Sequence, residues 1–215
     1  MSNVRIAVCI PTREQMHSRC AFCLYELARV LTEKNIAHRI FLSPGTLIAN
    51  QRHELVLSAM EWHATHVMFI DSDIVFDPQH VLDLLNFDEP IVGAAYSKRI
   101  EPIIPTAWDR IDDWNSWIRL DEQTDSHIKV ACMALGFCLI RTEVFKEVPL
   151  PWFILGYING SYTGEDIEFF RRCGAVNIPI WLDVKTSLEI GHLGIKEFRN
   201  VDDIVVSIAT LPTID

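Results

Sequence analysis

The stretch His66-Val67-Met68-Phe69-Ile70-Asp71-Ser72-Asp73-Ile74-Val75-Phe76-Asp77-Pro78 limits what this chain can become more than any other. Four apolar residues run straight into two carboxylates spaced i, i+2. A run of this kind reads as a short strand buried on both faces, as in a covered parallel sheet. Asp71 then emerges at the strand's carboxyl end, the edge where open α/β sheets bind ligands. Two carboxylates there, with the small Ser72 between them, suit a hard divalent cation with oxygen ligands and point to a metal and diphosphate site. Asp-x-Asp is also short enough to arise by chance. Asp77-Pro78 beside it has a structural explanation, a helix N-cap followed by proline at the first helical position.

The elements around this stretch predict a β-α-β-α-β order. Residues 4–10 read as a strand ended by Pro11-Thr12, and 18–34 as a helix with an apolar stripe at Phe22, Leu24, Leu27, Val30 and Leu31. A strand at 38–42 and a helix at 47–63 follow, the helix with Leu55, Leu57, Ala59 and Met60 toward its buried side. This opening predicts parallel strands joined by right-handed crossovers. Past the central strand, 78–85 reads as a helix and 90–95 as a strand leading into Lys98-Arg99. The segment 100–126 reads as loop and β-ribbon, 130–140 as strand-like around Gly136, and 142–147 as a brief helix. Pro149 to Phe153 reads as a rigid aromatic loop. A helix opens at Thr163-Gly164-Glu165-Asp166 and runs to Cys173 with Gly174 as its C-cap. A late strand is expected at 178–183, and a tail packed on the body at 196–215.

The chain has 215 residues, 49% of them hydrophobic, enough for one domain with a substantial core. With no internal repeat or linker, 1–215 reads as a single α/β domain with a mostly parallel sheet. Its halves are 1–99 and about 100–195. The formal net charge of −10 and the lack of a basic run argue against nucleic acid and anionic membranes as partners. Apolar runs such as 130–140 are too short to span a bilayer, and no secretory signal pattern opens the sequence. Six cysteines sit mostly in apolar segments, which suits free thiols in a reducing, cytoplasmic compartment. Cys20 and Cys23 form a C-x-x-C without a second pair at zinc-finger spacing, and they share a helical face with leucines, so they read as core.

Several side chains are candidates on their own chemistry. Arg52, near the start of a helix aimed at the sheet edge, suits bidentate pairing with a phosphate, or is a solvated helix-face residue. Lys98 and Arg99, just past a strand end, are further diphosphate candidates. Glu165 and Asp166 suit a general base, and equally suit a first helical turn, where acids complement the macrodipole and Thr163 with Asp166 resembles a capping box. His192, between Gly191 and Gly194, is a metal ligand or a satisfied loop histidine. Trp108, Trp114, Trp117, Trp152 and Phe153 either stack on a sugar ring or form a lid over the core.

Five motifs occur in one order: Ile10-Pro11-Thr12-Arg13, Ile70-Asp71-Ser72-Asp73, Gly136-Phe137-Cys138-Leu139-Ile140-Arg141, Gly164-Glu165-Asp166-Ile167-Glu168-Phe169 and Gly191-His192-Leu193-Gly194. Together they span most of the chain and resemble the GT-A glycosyltransferases, particularly small family-2-like enzymes. The compact size resembles the single-domain transferases of large DNA viruses and phages, which implies host cytoplasm as the setting. The resemblance implies a GT-A, Rossmann-like sheet and transfer of a sugar from a nucleoside-diphosphate sugar, UDP favoured, to a hydroxyl of a glycan or glycoconjugate, with inversion. It implies Mn²⁺ or Mg²⁺ held by Asp73 and His192, with Asp71 at the ribose or the metal's waters. Pro11, Thr12 and Arg13 hold the base and ribose, and Arg52, Ser72 and Lys98 complete the donor site. Asp166 is the expected base, with Glu165 at the acceptor hydroxyls or serving as base instead. The competing readings are a haloacid-dehalogenase-type phosphohydrolase with Asp71 as nucleophile, and a nucleotide-sugar binding module without catalysis. A nucleotidyltransferase fits less well, since the first strand lacks a glycine-rich phosphate loop.

Overall fold

A computed structural model of the protein describes residues 4–194 and 197–200. Of the tail expected over 196–215, residues 196 and 201–215 lie outside the described residues. The chain opens with strand β1 (Arg5–Thr12), helix α1 (Ser18–Glu33), strand β2 (Ala37–Pro44), helix α2 (Ile48–Glu61) and strand β3 (His66–Ile70). β2 and β3 lie on either side of β1 and both run parallel to it, in the register Cys9↔Phe41 and Cys9↔Phe69. The helices form where apolar residues recur at helical spacing: Cys20, Cys23, Leu24, Leu27 and Leu31 make the buried stripe of α1. Phe22, expected in that stripe, is 65% exposed, because it falls about half a turn away from the leucine line, on the opposite face. On α2 the inward face is Gln51, Arg52, Leu55, Val56 and Ala59, and Leu57 points outward.

After β3 come a two-residue strand β4 (Ile74–Val75), helix α3 (Pro78–Phe87) and strand β5 (Ile91–Gly93). Asp77 caps α3 as its sequence predicts: its carboxylate accepts from the Gln79 amide at 2.8 Å, and His80 completes a capping box. Short strands β6 (Ala107–Trp108), β7 (His127–Lys129) and β8 (Cys132–Met133) follow, β6 and β8 pairing as a ribbon. The expected strand over 130–140 is thus divided, and its second part is β9 (Phe137–Arg141). β9 is inserted antiparallel between β3 and β5. Helix α4 (Val144–Glu147), a hairpin of β10 (Gly156–Ile158) and β11 (Ser161–Thr163), helix α5 (Glu165–Ala175) and strand β12 (Trp181–Asp183) complete the body. Helix α6 (Val184–Glu189), strand β13 (Gly191–Leu193) and strand β14 (Glu197–Phe198) close the described chain.

The central sheet has seven strands in the order β2-β1-β3-β9-β5-β12-β7. β1, β2, β3, β5 and β12 point one way, and β9 and β7 run against them, so the sheet is mostly parallel. Strand residues alternate between two apolar layers, as the two-residue period of a strand requires. Ile6, Val8, Ile10, Met68 and Ile70 pack with α1 and α3, whereas Ala7, Cys9, Val67 and Phe69 pack with α2, α4 and α5. Phe69, Phe137, Phe169 and Phe170 are fully buried, each worth about 1.5–3 kcal/mol of burial. All six cysteines are buried and free. Among the described residues no helix is long and apolar enough to cross a membrane.

Two local expectations change, and one choice left open is decided. Gly174 lies inside α5, which continues to Ala175, and Asn177 takes the left-handed position beyond it at φ 60°. The N-cap of α5 is Gly164, and Thr163 makes no capping bond. Trp108, Trp152 and Phe153 are buried in the core, with the Trp152 indole donating to the Val148 carbonyl at 3.1 Å. They are a lid over the core rather than open ring faces.

Candidate active site

Antiparallel β9 begins where β3 ends, and this brings Gly136 against Asp71. The Asp71 amide donates to the Gly136 carbonyl at 2.9 Å. A Cβ at Gly136 would stand 2.4 Å from Asp71 Oδ2 and 2.6 Å from the Tyr96 hydroxyl, so glycine is required by the space there. Both carboxylate oxygens of Asp71 are engaged: Arg52 Nη2 donates to Oδ1 at 3.1 Å and the Tyr96 hydroxyl to Oδ2 at 3.2 Å. An aspartate so engaged is a poor covalent nucleophile, which weighs against the phosphohydrolase reading.

Asp73 stands in a different setting. β13 pairs with β4 in the register His192↔Ile74, and the Leu193 amide donates to the Asp73 carbonyl at 2.8 Å. His192 Nε2 is thereby placed 3.6 Å from Asp73 Oδ1. His192 Nδ1 lies 2.8 Å from the Ser97 carbonyl. A carbonyl there takes the hydrogen of Nδ1, so Nε2 is the nitrogen that faces Asp73. Arg99 Nη1 donates to Asp73 Oδ2 at 2.9 Å and to the Leu193 carbonyl at 3.1 Å. Burial pushes the Asp73 carboxyl up, but His192 and Arg99 outweigh it and hold the group below its ordinary value.

Arg52 is not at a phosphate-facing surface. It is 2% exposed, and its Nη1 donates to Glu165 Oε1 at 2.7 Å. Burial disfavours its charge, yet Asp71 and Glu165 keep it cationic. Glu165 is itself buried, whereas its neighbour Asp166 is half-buried. Asp166 Oδ1 accepts from the Ile167 amide at 2.8 Å. Burial, then the Glu165 carboxylate beside it, push the Asp166 carboxyl up to about 6 against the opposing pull of Arg52. A carboxyl group poised there suits proton transfer near neutral pH.

The cleft at this edge has a volume of about 550 Å³ and is lined by Pro11, Thr12, Arg13, Gln15, Gly45, Thr46, Ile48, Gln51, Asp71, Ser72, Asp73, Tyr96, Arg99 and His192. Gln51 braces one wall: its side-chain amide donates to the Thr12 carbonyl at 2.6 Å and to the Ser43 carbonyl. Lys98 and Asp166 are not in this lining, and Lys98 Nζ lies over the Trp108 ring, 5.3 Å from its centroid. Tyr96 and Gln51 were not singled out from sequence. Tyr96 follows directly on Gly93-Ala94-Ala95 at a strand end, the same kind of position that marked Asp71. Among the described residues no three His, Cys, Asp or Glu side chains converge as a metal site would require. Asp73 and His192 alone suit a cation that takes its other ligands from substrate phosphates and water.

No protein-family model matches the sequence, and a search of curated proteins found no match. Solved structures do match. The protein A197 from STIV superposes with a TM-score of 0.58 at 20% identity, over 89% of this chain and 86% of that one. The two share a mixed α/β fold around a mostly parallel sheet. A Drosophila β-1,4-galactosyltransferase 7 point mutant, in complex with manganese, UDP-Gal and xylobiose, gives 0.49 at 14% identity, over 89% of this chain and 71% of that one. A glycosyltransferase involved in the glycosylation of the major capsid of PBCV-1 gives 0.40 at 10% identity, over 85% and 94%. In this chain the cleft lies at the carboxyl edge of the five co-directional strands, the edge that the sequence pattern marked.

Proposed function

We propose that the protein is a metal-dependent glycosyltransferase that moves a sugar from a nucleoside-diphosphate sugar to a hydroxyl of a glycan or glycoconjugate, with inversion. The observation that carries this reading is one connected edge: His192 beside Asp73 in the cleft, and Tyr96, Asp71, Arg52 and Glu165 linked from there toward Asp166. Pro11, Thr12 and Arg13 flank the base and ribose, and Arg99 faces the diphosphate. A Mn²⁺ or Mg²⁺ ion held by Asp73 and His192 would neutralise charge that develops on the departing diphosphate. Asp166 takes the acceptor hydroxyl's proton as that oxygen attacks the anomeric carbon and the bond to the diphosphate breaks. Glu165, salt-bridged and buried, positions α5 rather than serving as base. UDP is favoured as the donor nucleotide by the family resemblance alone. Six free thiols suit a reducing, cytoplasmic setting.

A thermal-shift titration with UDP, GDP, CDP and ADP, with and without Mn²⁺, tests the reading. A ligand at 100 times its Kd adds about 2.7 kcal/mol. For a chain of this length that is a rise of about 5–10 °C. One diphosphate should give that rise only with Mn²⁺. Asp73→Ala should lose it, and Asp166→Asn should keep it while turnover with the matching sugar nucleotide stops. No response to any of the four, with or without Mn²⁺, would refute the donor site.

A further inference from the structure

Of the aromatic residues expected to meet an acceptor, Trp108, Trp152 and Phe153 are buried and Trp114 is 39% exposed, whereas the most exposed aromatic rings of this half lie on the β10–β11 hairpin. Asn159 and Gly160 close it with φ values of 50° and 83°, the two positive angles that a two-residue turn matched to strand twist demands. Tyr157 and Tyr162 are directly opposed across the two strands, with ring centroids 5.1 Å apart and planes at 68°. They are 65% and 82% exposed, and Leu155 next to them is 61% exposed. A cross-strand pair contributes only about 0.2–1 kcal/mol, so hairpin stability gives little reason for two large rings held in water.

Beside Tyr157 is a concavity of about 540 Å³ whose other walls are Leu155, Gly156, Ile158, Asn159, Glu168 and Arg171. That volume lies within the range of about 300–1,000 Å³ usual for small-molecule sites. Its polar wall is ordered: Arg171 grips the buried Glu168 carboxylate at 2.7 and 2.6 Å, and Arg172 adds a third bond at 3.0 Å. At the foot of the hairpin, the buried Thr163 hydroxyl has no hydrogen-bond partner among the described residues. The chain continues from there through Gly164 into Glu165 and Asp166.

We propose that this hairpin is a carbohydrate-binding subsite, in which the C–H face of a pyranose stacks on Tyr157 or Tyr162 and its hydroxyls meet Asn159, Arg171 and Glu168. Ring faces beside fixed amide, guanidinium and carboxylate groups match a sugar, which is apolar on one face and hydroxylated at its rim. A stable protein partner needs about 20–30 residues a side, far more than this patch offers. A formal charge of −10 disfavours a nucleic-acid strand. Tyr162 and Asp166 are four residues apart, at most ~14 Å along the chain. The subsite therefore holds a sugar beyond the one that reacts, and the acceptor is an oligosaccharide. This link to Asp166 rests on the glycosyl-transfer reading; binding by the hairpin does not.

The test is saturation-transfer NMR and tyrosine fluorescence titration with maltotriose, cellotriose, chitotriose and xylotriose. The wild-type chain is compared with Tyr157→Ala/Tyr162→Ala and Tyr157→Phe/Tyr162→Phe. At least one trisaccharide should bind the wild type, with affinity about tenfold lower in the alanine pair, or 1.4 kcal/mol, and within about twofold in the phenylalanine pair. No binding of any of the four, or equal binding by the alanine pair, overturns the proposal. So does a concentration-dependent dimer in sedimentation that the alanine pair abolishes, since the patch would then be a protein interface. The Mn²⁺–nucleotide thermal response, read on the same samples, separates the two ideas. If it is absent while trisaccharide binding follows the tyrosines, the transferase reading fails and the subsite stands.

Discussion

Replacing Arg52 with methionine removes the charge between two carboxylates while keeping most of the packing volume. The side chains of Arg52, Glu165 and Asp71 are 3%, 8% and 20% exposed. Breaking a buried ion pair by removing one partner costs about 3–5 kcal/mol, because the remaining charge loses its counterion and stays out of water. Asp71 keeps its bond from Tyr96 and has more access to solvent, so the loss falls mainly on Glu165 and belongs at the lower end of that range. About 3 kcal/mol is a fall of roughly 6–12 °C in Tm for a chain of this size. The decisive comparison is Arg52→Met/Glu165→Leu, which removes both charges. Removal of a whole buried pair in favour of apolar residues is near neutral or stabilising, so the double variant should return to within about 1 kcal/mol of wild type. Urea unfolding of the four members of this cycle reads the coupling directly. If Arg52→Met costs less than about 1 kcal/mol, or the double variant is no better than the single, then water reaches this pair and the connected edge is not held as argued.

Three further outcomes follow from the same geometry. Gly136→Ala forces a methyl group within 2.4 Å of Asp71 Oδ2 and 2.6 Å of the Tyr96 hydroxyl, and should cost about 1–3 kcal/mol in urea unfolding while weakening nucleotide binding. Asp166 should give the rising limb of the pH–rate profile near 6, and Asp166→Asn should remove that limb together with turnover. Because the folded-state value near 6 stands above the ordinary 3.8, ionised Asp166 costs stability above both values and nothing below about pH 4. Asp166→Asn should thus stabilise at pH 7 by on the order of 2 kcal/mol in thermal unfolding, with the gain gone at pH 4. Asp77→Ala removes the cap of α3 and should cost about 1 kcal/mol with no change in nucleotide binding.

The features readable from sequence were those in which local chemistry and burial agree. The run 67–70 had to be a buried strand whichever sheet it joined, and Asp77-Pro78 had to open a helix. The opening β-α-β order constrains its own handedness, so β1, β2 and β3 were legible as a parallel set. Strand direction further along was not, since nothing in Phe137–Arg141 itself says that it enters between β3 and β5 from the opposite end. Asn159-Gly160 carries a hairpin signal in its residue types alone, since both positions take positive φ. The lid reading holds for Trp108, Trp152 and Phe153, and sequence left that choice open because an aromatic residue in a loop carries no periodicity to show which way it faces. In Trp152 the indole finds a backbone acceptor at Val148 that only the folded chain supplies.

The same limit explains the candidate site. Local pattern placed Asp71 and Asp73 at the sheet edge, but it could not say which one keeps oxygens available to a ligand. That is decided by partners far along the chain. Arg52 meets Glu165 across 113 positions, Tyr96 meets Asp71 across 25, and the Ser97 carbonyl orients the His192 ring across 95. An arginine near a helix start and a ligand edge has the same local signature whether it reaches a phosphate or a buried glutamate. The folded chain separates these cases through Gly136, where the absence of a side chain lets Asp71 and Tyr96 close together. Asp71 is then spent on holding β3, α2 and α5 in one arrangement, which leaves Asp73 as the carboxylate at the cleft with a histidine beside it. On this reading the two acids of one short motif have opposite jobs. Asp71→Asn should therefore disturb stability and Asp166 together, whereas Asp73→Asn should change the response to Mn²⁺ and leave unfolding nearly unmoved.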